Sequence, residues 1–392
     1  MKWFGCGPRR KQPIELNVPR EQAAPSRPED EEEVTQALPR TRRGRRCDPK
    51  VGHLKDPWKS HAVNRLLAEF ARDGDWDLVR AIVQGNHFSD INRKCSDGFT
   101  ALDYSICHGR YDVVKLLVNA GADLSPTLSH VPLRHAAFTG QREMVELLLD
   151  KGAELACNGT TYTPLHFASF SGHLEVVKLL VDRGADIESK AKGSIKPLHL
   201  AAGNGNVDVV RYLLEKGVQF DSKGNSKFTA LDFAAEKGQA EVVRLLLEPQ
   251  GLSEMGTEAR KAYLYPPIQY AAFRGHVHVV NMFLDLGLPM DGKSTRGYPI
   301  LGYAAEAGQL KVVQLLLDRG ADVGGAEDFV FSPLHSAAGH GHLNVVELLL
   351  DYGADIDCHK PGLSPVEFAR QQGKMEVVNL LLKRGAICKG RL

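Results

Sequence analysis

Fifteen histidines and seven cysteines are the residues of this 392-residue chain best suited to hold a metal or attack a substrate. Zinc needs thiolates or imidazoles at short spacings such as CxxC, or two ligands one turn apart on a helix. The cysteines (Cys6, Cys47, Cys95, Cys107, Cys157, Cys358 and Cys388) form no CxxC pair. His276 with His278, and His340 with His342, lie two residues apart, a spacing that separates two rings on a helix. No glycine-rich loop is followed by Lys-Ser/Thr, and neither a nucleophile elbow nor HExxH is present. The expectation is a chain with no catalytic residues, no metal and no cofactor. An odd cysteine count without regular spacing suits a reducing compartment, the cytoplasm first and the nucleus second.

Six of the histidines (His166, His199, His335, His173, His276 and His342) fall at places that recur, and the elements that recur with them are helices. A phrase whose clearest copies are TPLHFASFSGHLEVVKLLVDRGADIES (Thr163 to Ser189) and SPLHSAAGHGHLNVVELLLDYGADIDC (Ser332 to Cys358) appears nine times. Leu102, Leu133, Leu165, Leu198, Leu231, Ile268, Leu301, Leu334 and Val366 mark its register, in steps of 31, 32, 33, 33, 37, 33, 33 and 32 residues. Such a period means one unit copied in tandem.

Each copy reads as two helices. A Thr/Ser-Pro step starts the first, because the hydroxyl caps and proline lacks only an N–H that would be unpaired there. Alanine pairs such as Ala201-Ala202 and Ala337-Ala338 let a neighbour approach closely. Val-Val-x-Leu-Leu, as at Val176 to Leu180, gives the second helix a broad apolar stripe. A glycine separates the two helices in every copy, and most second helices end at another, as at Gly184 and Gly353. One pair cannot bury its own stripe, whereas stacked neighbours can, which predicts an all-α solenoid.

These motifs resemble the ankyrin repeat, from about Val63 to the C-terminus. The resemblance implies helix-turn-helix pairs joined by projecting hairpin loops, with a concave face lined by the first helices. It also implies that His166, His199 and His335 tie adjacent repeats together, and that His173, His276 and His342 occupy a common structural place. Residues 1–56 read as a disordered tail rich in Pro, Arg and Glu, with an acidic run at Glu29–Glu33 and a basic run at Arg40–Arg46. Residues 57–95 read as a degenerate N-terminal capping repeat, and 96–392 as nine repeats ending in a C-terminal cap. The 37-residue step carries an insertion at 249–267, expected to bulge from a connection either as a plain longer loop or as a binding finger.

By the same resemblance, a partner protein meets the hairpin loops and the exposed part of the first helix. The residue just before each TPLH-like phrase belongs there, and six of the nine are aromatic: Phe99, Tyr162, Phe228, Tyr265, Tyr298 and Phe331. Phe138, Phe170 and Phe273 stand two places before the inter-helix glycine on the same expected side, with Arg274 beside them. Interfaces concentrate Tyr, Phe and Arg at their energetic centres, so these ten residues are the expected partner-binding set. A single ring at a loop base can equally pack on the neighbouring repeat.

The chain has a net charge of +1, but residues 1–60 carry +5 and the remainder −4. The repeats therefore lack the basic field that nucleic acid requires. No run of 18 apolar residues is present. The reading is a monomeric, non-enzymatic protein-interaction scaffold or adaptor; the alternative is a nuclear regulatory protein targeted by its basic N-terminal segment.

Overall fold

The structure, a computed structural model, describes residues 67–88, 90–96, 98–124, 132–156, 162–220, 228–248, 257–290, 299–325, 331–358 and 362–387. The expected N-terminal tail lies outside these residues. The described elements are helix pairs: α1 (Leu67–Asp73) with α2 (Trp76–Gln84), α3 (Ala101–Cys107) with α4 (Tyr111–Asn119), and α5 (Pro132–Phe138) with α6 (Arg142–Asp150). There follow α7 (Pro164–Ser171) with α8 (Leu174–Asp182), α9 (Pro197–Gly203) with α10 (Val207–Glu215), and α11 (Ala230–Glu236) with α12 (Ala240–Leu246). The last are α13 (Thr257–Arg274) with α14 (Val277–Asp285), α15 (Ile300–Glu306) with α16 (Leu310–Asp318), α17 (Pro333–His340) with α18 (Leu343–Asp351), and α19 (Pro365–Gln371) with α20 (Met375–Lys383). No strand occurs among the described residues.

Two compact units result. The first takes in the described residues up to Ala234 together with Glu241–Leu247; the second takes in Ala235–Ala240 and the described residues from Glu248 onward. From α1 to α10, and again from α13 to α20, first helices pack on first helices and second helices on second helices in chain order. The alanine pairs make this approach possible: Ala136, Ala137, Ala201, Ala202, Ala337 and Ala338 are all fully buried. The Val-Val pairs of the second helices, such as Val113-Val114 and Val312-Val313, are equally enclosed.

The helix starts follow from their first residues. Thr163 Oγ1 accepts from the His166 N–H, and Ser332 Oγ from the His335 N–H at 3.3 Å, with proline in the first turn of each. Thr100 and Asp103 form a reciprocal capping box, with the Thr100 N–H donating to Asp103 Oδ2 at 2.8 Å. Lys196 departs from this pattern. It occupies the hydroxyl's place, is almost fully buried, and donates its ammonium to Glu188.

The insertion corrects an expectation. Residues 257–267 do not bulge from a connection; they are helical and run straight into the first helix of their repeat, making α13 18 residues long. Pro266 and Pro267 lie inside it and cannot donate to the carbonyls one turn back. Burial of Tyr263, Leu264 and Tyr265 holds the extension down, and Tyr265 Oη donates to the Pro289 carbonyl at 3.0 Å. Residues 249–256 lie outside the described part.

Candidate partner-binding face

Two rows of polar side chains fix the geometry of the first helices. In the TPLH row, His166 Nε2 donates to the Ile195 carbonyl of the next repeat at 3.0 Å, and His335 Nε2 to that of Leu363 at 2.9 Å. In the second repeat Arg134 stands at this place and reaches the Tyr162 carbonyl at 3.3 Å. The second row follows the inter-helix glycine. Gln141 donates to the Ile106 carbonyl at 2.8 Å, His173 to Phe138 at 3.0 Å, and Asn206 to Phe170 at 2.8 Å. In the second unit His276 donates to Glu236 at 2.8 Å, Gln309 to Phe273 at 3.0 Å and His342 to Glu306 at 2.9 Å. Each bond ties a second helix back to the end of the preceding first helix.

His166, His173, His276, His335 and His342 are thus spent on backbone carbonyls. His340 also donates Nδ1 to the Ser336 carbonyl at 2.9 Å, and its ring stacks on His342 at 6.2 Å. Burial holds His342 below the ordinary imidazole range, its carbonyl bond to Glu306 opposing that. Cys107 lies 3.3 Å from His135 Nε2, but burial, aided by the Asp103 carboxylate, pushes its thiol pKa up and keeps it protonated. Such a thiol is not a nucleophile.

The expected ring set separates by depth. Phe99, Tyr162, Tyr265 and Phe331 are 5–8% exposed and pack inward instead of presenting a face. The reason is local. The residue before each phrase leads into a helix start, and the preceding repeat holds the carbonyl of Tyr162, Ile195 and Leu363 in that row. Tyr162 meets Phe167 edge-on at 6.2 Å, and Phe331 stacks on Phe368 at 5.1 Å. Half-exposed rings remain at Phe138, Phe170 and Phe228 in the first unit and at Phe273 in the second. Arg274 is exposed, but its guanidinium is engaged, donating Nε and Nη2 to buried Glu236 at 3.1 and 2.5 Å. Tyr298 lies outside the described residues.

A second ring row escaped the sequence reading. Two places after the register residue stand Tyr104, Phe167, Phe233, Tyr270, Tyr303 and Phe368, a periodicity the same alignment contains. At Phe167, Phe233 and Phe368 the ring lies against the residue two before the glycine in the preceding repeat. Phe138 meets Phe167 edge-on at 6.2 Å and Phe170 nearly parallel at the same distance. Where the earlier residue is glycine, the later ring takes its space. A Cβ on Gly339 would fall 2.2 Å from Phe368 Cε1, whereas one on Gly203 would meet Phe233 Cβ at 3.5 Å.

That contrast makes a paired prediction. Both glycines are helical, so alanine gains about 1 kcal/mol of propensity. Gly203→Ala makes ordinary contact and should raise stability by about 0.5–1 kcal/mol. Gly339→Ala must displace a buried, stacked ring, and overpacking of about 1–3 kcal/mol outweighs the gain. Urea unfolding of the two variants should move in opposite directions; movement in the same direction would show that the Phe368 ring yields freely.

Comparison with known proteins places these features. The chain matches the family described as Ankyrin repeats (3 copies) over residues 54–128, 124–191 and 190–255, and Ankyrin repeats (many copies) over 301–350. It is 34% identical over 101 residues to the human Notch-regulated ankyrin repeat-containing protein, covering 25% of this chain and 88% of that protein. It is 32% identical over 92 residues to the mouse RelA-associated inhibitor, 23% of this chain but only 11% of that relative's length. Among solved structures, the human ASB11 ankyrin repeat domain superposes with a TM-score of 0.51 and 28% identity, covering 58% of this chain and all of that one.

Proposed function

Because this chain belongs to the ankyrin-repeat family, whose repeats generally mediate protein–protein interaction, we propose that it is a non-enzymatic scaffold or adaptor. It holds a partner protein on the first-helix face and the hairpin loops. The observation that carries this reading is the set of half-exposed rings on first helices, above all Phe138 stacked on Phe170 over the buried cluster of Tyr162, Phe167, Ile195 and Leu200. Rings already held by packing lose little freedom on binding, which is how aromatic anchors come to dominate interfaces. The buried Phe99, Tyr162, Tyr265 and Phe331 act as the underlay of this face, not as its contacts.

The test is the double variant Phe138→Ser/Phe170→Ser in the full chain. Circular dichroism should stay within the wild-type range while cross-linked partner recovery falls about tenfold or more. Unchanged recovery from the folded variant would end this reading. Tyr265→Ser is the wrong probe, since it removes a buried ring and its bond to Pro289.

The second reading, nuclear regulation, draws support from the names of the Notch-regulated and RelA-associated relatives. In it, the basic run Arg40–Arg46 directs the chain to the nucleus, with the cytoplasm its default site. A reporter fused to residues 1–56 that stays cytoplasmic would remove it.

A further inference from the structure

The turns between the two helices of each repeat carry a pattern that one repeat fills and the next leaves open. Arg110, the residue after an inter-helix glycine, lies over the Trp76 ring of the preceding repeat at 5.5 Å and 3.6 Å from the Asp112 carboxylate. Trp76 is the first residue of α2 and Asp112 the second of α4, so a ring and an acid from adjacent repeats hold one guanidinium. One repeat on, the same ring and acid recur as Tyr111 of α4 and Glu143 of α6, but Gln141 stands at the arginine's place. Its Nε2 is spent on the Ile106 carbonyl at 2.8 Å and on Thr139 Oγ1 at 2.9 Å.

The space between them is open. Gly109, Tyr111, Gln141, Glu143 and Met144 line a cavity of about 490 Å³. Nothing lies within 4 Å of a Cβ on Gly109, whereas one on Gly140 or Gly308 would meet a histidine of the next repeat at 2.5 Å. Tyr111 is 43% exposed, Glu143 is exposed, and Met144 is buried.

The charges at these turns select the occupant. At the acidic place, Asp77, Asp112, Glu175 and Glu241 each meet a cation of the chain. Glu143 and Asp208 meet none among the described residues, and of these two only Glu143 lines the cavity. The arginines nearby are engaged: Arg80 with Asp77 and Asp112, Arg110 with Trp76 and Asp112, and Arg142 with Glu146 at 3.9 Å. Lys115, one turn beyond Tyr111, is exposed but does not line the cavity. The α6 N-terminus opposes a cation with about half a unit charge, which the full charge of Glu143 outweighs.

We propose that Tyr111 and Glu143 bind an arginine side chain of a partner protein, as Trp76 and Asp112 hold Arg110. The guanidinium stacks on the ring and meets the carboxylate, and its stem covers Met144. Because the surrounding charges are paired, the site suits one arginine between uncharged neighbours, not a basic run such as Arg40–Arg46. It lies at the helix turns and stands independently of the first-helix rings.

The test is calorimetric titration of the full chain with a blocked Ala-Gly-Arg-Gly-Ala peptide, against the same peptide carrying citrulline, which keeps the shape and loses the charge. The arginine peptide should bind about tenfold more tightly. Glu143→Gln should weaken it about tenfold, and Gln141→Arg, which supplies the guanidinium from the chain itself, should abolish it. If Gln141→Arg fails to fold, Tyr111→Ala removes an exposed ring and should weaken binding likewise. Equal binding of the two peptides, or unchanged affinity in Glu143→Gln, would overturn the proposal. Tighter binding after Arg40, Arg42, Arg43, Arg45 and Arg46 are replaced by alanine would show that the chain's own tail occupies the site, and would overturn the partner assignment. Phe138→Ser/Phe170→Ser should leave peptide binding unchanged, so this site and the first-helix face stand or fall separately.

Discussion

Gly172→Ala is expected to lower the unfolding free energy by about 3 kcal/mol, three times the effect of the same change at Gly184. Both glycines have left-handed backbone, φ +81° and +93°, and share a conformational cost of about 1 kcal/mol for any side chain. What differs is the space. Nothing lies within 4 Å of a Cβ on Gly184, whereas one on Gly172 would sit 2.5 Å from Asn206 Oδ1 and 2.8 Å from its Cγ. The amide must then rotate away and give up its bonds to the Ser169 and Phe170 carbonyls, each 2.8 Å long. Each is worth about 1 kcal/mol. A double-mutant cycle isolates this contribution: in an Asn206→Ala background, Gly172→Ala should cost no more than Gly184→Ala. Urea unfolding of the four variants decides it, and equal costs for the two glycines in the parent chain would show that the amide tie contributes nothing.

Acidification from pH 6.5 to 4 should remove about 3 kcal/mol of stability through His166 alone. Burial, only partly offset by the bond to the Ile195 carbonyl, lowers the pKa of this imidazole from 6.5 to about 4. The geometry explains why the ring must stay neutral. The Thr163 N–H donates to Nδ1 at 3.1 Å, so Nδ1 carries no proton and Nε2 is the donor to Ile195. A second proton would need the lone pair that Thr163 uses. Above pH 6.5 both folded and unfolded chains hold the ring neutral, and His166 adds no pH dependence. Between 6.5 and about 4 the unfolded chain takes up a proton that the folded chain refuses, so stability rises with pH and is lost as pH falls. Below about 4 both forms are protonated and the loss is complete. His166→Asn keeps one donor and one acceptor without a titrating group, so its stability should depend on pH more weakly by about one proton across this window. Parallel stability curves for variant and parent would rule out His166 as the sensor.

Much of the fold is legible in the residues themselves. Thr163-Pro164 and Ser332-Pro333 mark helix starts, and the alanine pairs and Val-Val steps mark the buried faces, because each depends only on local geometry and a stripe. Depth is harder to read. Tyr162 and Phe170 belong to equally regular rows, yet one is buried and the other half-exposed, since burial depends on what the neighbouring repeat presents. Arg274 looks free in sequence because its partner Glu236 stands 38 residues away. The extension of α13 is not legible in the residues, since Pro266-Pro267 cannot donate within a helix and the insertion is expected to bulge from a connection. Here burial of Tyr263 and Leu264 holds the run together instead.

The donor place after the inter-helix glycine bears on how such an array can be rewritten by duplication and exchange. Gln141, His173, Asn206 and Gln309 differ in size and chemistry, yet each delivers one N–H to a carbonyl at the end of the preceding first helix. A backbone carbonyl is the same acceptor in every repeat, so a unit carrying any of these side chains can follow any other without a matched change upstream. Recombination at this seam is tolerant by construction. The ring seam is not: a unit bearing Phe368 fits behind Gly339, and placing it behind an alanine would require one of the two to change.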